Sequence, residues 1–213
     1  MAACRVKGIS LKVALSAFVM AALIVGGAVW ATTRLGGGDV PAVPSTVVFG
    51  DSITRLAAED IAAETGAEVV AYDRAKWADL GPAVEAKLAE RVEPPERAAV
   101  LLGANDVIEL SMTSTDFAAV LDPLAGVPCV VVLELPQTFF GSQSFNEAMR
   151  TEVAKRPNAV TDDEWSALAT SMVDQDNGTW FEEDKVHPNA EGQQQLAKSY
   201  ASALDRHCGS ASD

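Results

Sequence analysis

Apolar and polar positions along this chain switch repeatedly between two periods. Short β-rich runs occupy Thr46–Phe49, Glu68–Tyr72, Ala98–Leu102 and Cys129–Leu135, with a weaker fifth near Ala159–Thr161. Between them, apolar residues recur at helical spacing: Ile53, Leu56 and Ile61, then Leu80, Val84, Leu88 and Val92, then Phe117, Val120, Leu121 and Leu124. A last helix carries Leu196, Tyr200 and Leu204. Val130-Val131-Val132-Leu133 is apolar without alternation, as expected of a strand covered on both faces. Strand–helix alternation of this kind predicts a parallel sheet in an α/β sandwich. Sites in such sheets form at the carboxyl ends of the strands.

A different pattern precedes this domain. From Val13 to Thr33 run 21 residues without a charge, preceded by Arg5, Lys7 and Lys12. A helix of that length spans about 30 Å, the hydrocarbon thickness of a bilayer. Basic residues on its amino-terminal side would hold that end in the cytoplasm and send the rest outward. Residues 1–34 are therefore expected to be a membrane anchor, or a signal segment cleaved near Val29-Trp30-Ala31. The length of the run favours the anchor, since signal-peptide apolar cores span about 7–15 residues. Gly36-Gly37-Gly38, Pro41 and Pro44 mark residues 35–44 as a linker. The folded domain is expected over 45–208, with 209–213 a tail.

Charge sharpens this division. The formal net charge is −14, but no acidic residue precedes Asp39; residues 1–38 carry net +4, and the remainder sets 12 basic against 30 acidic residues. A domain so acidic is a poor partner for a phosphate backbone or an anionic lipid surface, both of which need clustered cations. No nucleic-acid partner is expected, and membrane contact is expected only through the amino-terminal helix.

Chemistry-bearing residues follow the predicted strands. Gly50-Asp51-Ser52 follows the first and opens a helix at Ile53, which puts a serine at the sheet edge beside helix amino-terminal N–H groups. Gly103-Ala104-Asn105-Asp106 follows the third and brings an Asn amide to the same edge. Asp184-Lys185-Val186-His187-Pro188-Asn189 precedes the last helix. An Asp three residues before a His, in a turn, can accept from one imidazole nitrogen and leave the other facing a serine. The chain has two histidines, and His207 falls in what reads as a frayed carboxyl terminus, so a histidine base would be His187.

These three segments resemble blocks I, III and V of the SGNH (GDSL-type) hydrolases in sequence, order and spacing, over roughly residues 45–206. The resemblance implies a three-layer α/β/α sandwich around a five-stranded parallel sheet, of flavodoxin-like type. It also implies Ser52 as nucleophile, His187 as base and Asp184 as its orienter. The implied oxyanion hole comprises the Ser52 N–H, the Asn105 side chain and the N–H of a second-block glycine. That glycine position is occupied here by Ala78, within Asp73-Arg74-Ala75-Lys76-Trp77-Ala78-Asp79. Alanine retains the N–H but resists the positive φ that glycine accepts. The implied activity is hydrolysis of carboxylic esters of lipid or O-acylated sugar through an acyl-serine, and the amino-terminal segment would place it outside the cytoplasm. An O-acyltransferase acting on cell-envelope sugars would use the same residues, and an inactive surface-binding module is the reading suggested by the missing glycine.

Aromatic residues gather where a substrate pocket is expected: Trp77, Phe139, Phe140 and Trp180 either line an acyl or sugar subsite or cover the core. Cys129 begins the fourth strand, at the edge opposite the site. The last helix runs antiparallel to the strands and ends on that far edge at Cys208. An oxidising compartment then allows a Cys129–Cys208 bridge; a buried thiol and a frayed tail are the other reading. With one credible His and no usable Cys cluster, neither a metal nor another cofactor is expected.

Overall fold

The computed structural model describes residues 43–109, 115–138, 141–174 and 180–209. The expected membrane segment over 1–34, residues 35–42 of the linker and residues 210–213 of the tail lie outside the described residues. Among the described residues no helix is long and apolar enough to cross a membrane.

Five strands, β1 (Thr46–Gly50), β2 (Glu68–Ala71), β3 (Arg97–Leu101), β4 (Cys129–Leu133) and β5 (Ala159–Asp162), form one parallel sheet in the order β2-β1-β3-β4-β5. The apolar residues of β1 and β3 and the valines of β4 are buried because helices cover both faces. The chain steps from β1 outward to β2 and returns across β1 to β3. The sheet therefore changes winding direction between β1 and β3, where ligand crevices open in folds of this kind.

The helices are α1 (Ser52–Leu56), α2 (Ala58–Thr65), α3 (Trp77–Ala89), α4 (Ala104–Ile108), α5 (Ala118–Leu121), α6 (Ser142–Val153), α7 (Glu164–Asp174) and α8 (Ala190–Cys208). Two expected helices are each split. Ala57 leaves helical geometry between α1 and α2, and Leu56 at the break is 39% exposed rather than core. Pro123, which has no N–H to continue the α-helical ladder, starts a separate 3₁₀ turn, Pro123–Gly126, after α5. Val92 lies beyond the end of α3 and is fully exposed, so the apolar stripe of that helix stops at Leu88.

The apolar pattern does not mark helices α6 and α7. Phe145, Met149 and Val153 bury one face of α6 at fourfold spacing, a signal present but diluted by its polar neighbours. Trp165 and Ala169 do the same on α7. The end of α8 is also firmer than expected. His207 Nε2 lies 2.9 Å from Asp162 Oδ2, Arg97 donates to the Gly209 carbonyl at 2.9 Å, and Cys208 is bonded to Cys129. His207 is thus an anchoring residue of the far edge, not part of a frayed end.

Candidate active site

The site is built on the carboxyl ends of β1 and β3 and completed by the loop before α8. After β1 the chain turns sharply into α1. Gly50 is required there, because a Cβ would overlap the Thr54 side chain and approach the Leu101 carbonyl to 2.9 Å. Asp51 caps α1, its Oδ1 accepting from the Ile53 N–H at 3.0 Å. Ser52 is the first helical residue, so its N–H has no acceptor within α1.

The 180–189 loop is a rigid bracket. Phe181 and Pro188 pair as an isolated antiparallel bridge, Glu182 N–H donates to the His187 carbonyl at 2.8 Å, and Asn189 N–H donates to the Trp180 carbonyl at 3.0 Å. Asn189 then caps α8 by accepting from the N–H groups of Glu191 and Gly192. Inside the bracket, Asp184 Oδ1 accepts from the backbone N–H groups of Val186 and His187, each at 2.9 Å, while Oδ2 lies 2.6 Å from His187 Nδ1. Burial pushes the Asp184 carboxyl up, but the His187 ring and these two N–H groups outweigh it and hold the group below its usual value. An ionised Asp184 accepts from Nδ1–H, which leaves the Nε2 lone pair facing outward. Ser52 Oγ stands 3.0 Å from that Nε2.

The remaining expected residues are placed as follows. Asn105 is in the first turn of α4, whose N-cap is Gly103, a residue at φ +127° that a side chain would strain. One of its amide hydrogens goes to the Ala75 carbonyl at 3.1 Å, which orients the side chain and leaves the second donor. Ala78 is exposed at the second position of α3, in ordinary helical conformation. Its φ is not positive, so the alanine is accommodated and its N–H, like that of Ser52, has no acceptor within its helix.

Of the two roles open to Trp77, subsite wall or core cover, the structure shows the second. Trp77 is completely buried, its indole N–H donates to the Leu102 carbonyl at 3.1 Å, and its ring meets Phe117 edge-on. It fills core between α3 and α5 and lines no subsite. Trp180 is 8% exposed and stacks on Trp165, with its N–H toward Glu191, so its main role is to support the bracket. Phe139 and Phe140 lie outside the described residues.

Two carboxyl groups of the site carry no role in the sequence reading. Asp51 is wholly buried, and its Oδ2 has no hydrogen-bond partner among the described residues; desolvation raises its pKa to about 7 against the Ile53 N–H and the nearby His187. Asp106 is also buried and raised by desolvation, opposed by the Trp77 N–H at 3.4 Å and the Thr115 hydroxyl at 3.2 Å. The signal was available in part, since each Asp directly adjoins a residue singled out by motif. Behind them, Thr54 and Tyr200 share a buried hydroxyl contact at 3.0 Å that ties α1 to α8.

No protein-family model matches this chain, and no curated protein matches it. Solved structures do. The C-terminal catalytic domain of peptidoglycan O-acetyltransferase A from Streptococcus pneumoniae, solved with a methylsulfonyl adduct, aligns with a TM-score of 0.61 at 17% identity, over 77% of this chain and 94% of that one. A GDSL-like lipase from Bacteroides thetaiotaomicron aligns at 0.56 and 18% identity, over 78% and 92%. A family 3 carbohydrate esterase from Clostridium thermocellum aligns at 0.56 and 12% identity, over 76% and 95%. The chain shares the fold of these proteins, the five-stranded α/β/α sandwich expected above.

Proposed function

We propose that this chain is a serine-dependent acyl hydrolase of the SGNH type, cleaving carboxylic esters through an acyl-serine. The observation that carries this reading is the unbroken relay from Ser52 Oγ to His187 Nε2 and from His187 Nδ1 to Asp184 Oδ2, at 3.0 and 2.6 Å. His187 accepts the Ser52 proton as Oγ attacks the ester carbonyl, and Asp184 stabilises the imidazolium that forms. The N–H groups of Ser52 and Ala78 and the second Asn105 donor receive the oxyanion. Collapse expels the alcohol, which takes its proton from His187. Water, activated by the same base, then frees the acid.

Acyl transfer to a sugar hydroxyl is a second reading, favoured by the likeness to an O-acetyltransferase catalytic domain. It replaces water by an alcohol in the last step and needs no further residue. In either case the substrate is a small-molecule or cell-envelope ester. The bonded Cys129–Cys208 pair supports an oxidising compartment, and the charge-free run after Lys12 supports tethering outside the cell membrane.

Labelling with a fluorophosphonate, which reacts only with activated serines, tests the reading. The full chain should label, and Ser52→Ala and His187→Ala should not. A chain that folds but does not label would be a binding module. Following acetate release against acetyl transfer with an added sugar acceptor separates hydrolase from transferase.

A further inference from the structure

The rim of the Ser52 site carries an exposed arginine in a backbone conformation that arginine resists, on a domain where acidic residues outnumber basic ones by 30 to 12 beyond residue 38. Arg74 lies in the turn after β2, immediately before Ala75, whose carbonyl holds the Asn105 amide. Its φ is +60°, in the left-handed region that glycine and asparagine occupy more readily. Strain of this kind gathers where a side chain has to be presented in a particular place.

The charges around it leave that side chain largely uncompensated. Arg74 is 83% exposed, and its ion-pair partner among the described residues is Glu109, 3.3 Å away at the end of α4. Lys76 holds the same carboxylate more closely, Nζ to Oε2 at 2.5 Å, from a side chain that is mostly covered. The Lys76 bond, with a weaker one from Arg74, holds Glu109 below the usual carboxylate range. Arg55 of α1 is paired with Asp73. Glu109 is thus neutralised by Lys76, and most of the five N–H donors of Arg74 have no partner among the described residues. The same two segments also expose large apolar surface. Tyr72 is 52% exposed, two residues before Arg74, and Ile108 is 53% exposed, immediately before Glu109.

We propose that Arg74 is a specificity-determining residue that binds an anionic group carried by the ester substrate close to its scissile bond, with Tyr72 and Ile108 against the adjoining apolar part. The inference rests on the ester-cleaving reading above. A planar guanidinium fork suits a carboxylate or a phosphate equally, and either could sit in the alcohol half or the acyl half of the ester.

Kinetics of the full chain on four probes test this: phenyl acetate, 4-acetoxybenzoate, 4-acetoxyphenyl phosphate and monophenyl succinate. The quantity of interest is kcat/KM for each anionic ester divided by that for phenyl acetate. Arg74→Glu should lower this ratio about tenfold for at least one anionic ester, chiefly through KM, since an exposed pair contributes only a few-fold and charge reversal doubles the free energy, which squares that factor. Arg74→Lys should keep most of the preference. Raising salt from about 50 to about 500 mM should erode it in the native chain and not in Arg74→Glu. A structural Arg74 would lower turnover of all four esters together and leave the ratio unchanged, and that result overturns the proposal. Fluorophosphonate labelling in the same samples separates the two readings. Labelling with unchanged ratios removes only the role of Arg74, whereas absent labelling and turnover removes the esterase reading and this inference with it.

Discussion

Ser52 Oγ and His187 Nε2 are 3.0 Å apart although 135 residues separate them in the chain. Two rigid devices bring them together: the Gly50 turn, which seats Ser52 at the start of α1, and the Phe181–Pro188 bracket, which delivers His187 already oriented by Asp184. Because His187 and Asp184 share one short loop, Ser52 alone of these three residues is positioned directly by the sheet.

The relay should behave as a unit. Ser52→Ala and His187→Ala are each expected to lower kcat by on the order of 10³-fold or more, and the double variant no further. Asp184→Asn should cost on the order of 10²–10⁴-fold, because the ring loses the acceptor that selects its tautomer. Steady-state hydrolysis of phenyl acetate reads all four. Additive losses in the double variant would mean that Ser52 and His187 do not act together.

On the proposed mechanism Asn105→Ala should lower kcat by on the order of 10²-fold with a smaller change in KM, since there the second amide donor serves the oxyanion and not the ground-state ester. The variant also frees the Ala75 carbonyl, so a melting curve run alongside distinguishes lost catalysis from lost folding.

Asp51 makes stability depend on pH. Its folded pKa, raised by burial to about 7, exceeds the value of 3.8 in the unfolded chain. A raised acid stabilises the fold fully below the unfolded pKa and loses that contribution as pH rises through the folded one. The loss amounts to about 4 kcal/mol in all, spread between pH about 4 and about 7. Asp106 is shifted the same way. Asp51→Asn keeps the acceptor for the Ile53 N–H but cannot ionise, so denaturation midpoints at pH 5 and pH 8 should differ less than in the native chain. An equal difference in both proteins would show that Asp51 is not the group concerned.

The Cys129–Cys208 bond closes a loop of 79 residues at the edge of the sheet opposite Ser52. Loop entropy predicts a contribution of about 4 kcal/mol, so reduction or the Cys129→Ser, Cys208→Ser double variant should lower Tm by roughly 10 °C. Initial rates well below the lowered Tm should change little. A Tm unaffected by reductant would mean that the thiols are not joined in solution.

Much of this architecture was legible along the chain. Strands β1, β3 and β4 stand out because both of their faces are buried, and the motif segments stand out because each follows a strand or precedes a helix. Helix α6 was not legible, since Ser142, Gln143, Asn146 and Arg150 dilute the Phe145–Met149–Val153 stripe. The role of Trp77 was not legible either. An aromatic in the segment after a strand looks alike whether it faces a ligand or, as here at the start of α3, hands its N–H to the Leu102 carbonyl inside the core.

What the sequence determined by itself is local: periodicity sets strand and helix, and Asp184 and His187 lie close enough to meet within one turn. What only the tertiary structure decided depends on distant segments arriving together. Burial by surrounding helices, absent from the triplet Gly50-Asp51-Ser52 as written, raises the Asp51 carboxyl. The competition between Lys76 and Arg74 for Glu109 exists only once α4 lies beside the turn after β2. Desolvation and charge pairing act through space, and the sheet order β2-β1-β3 is what brings those residues within reach.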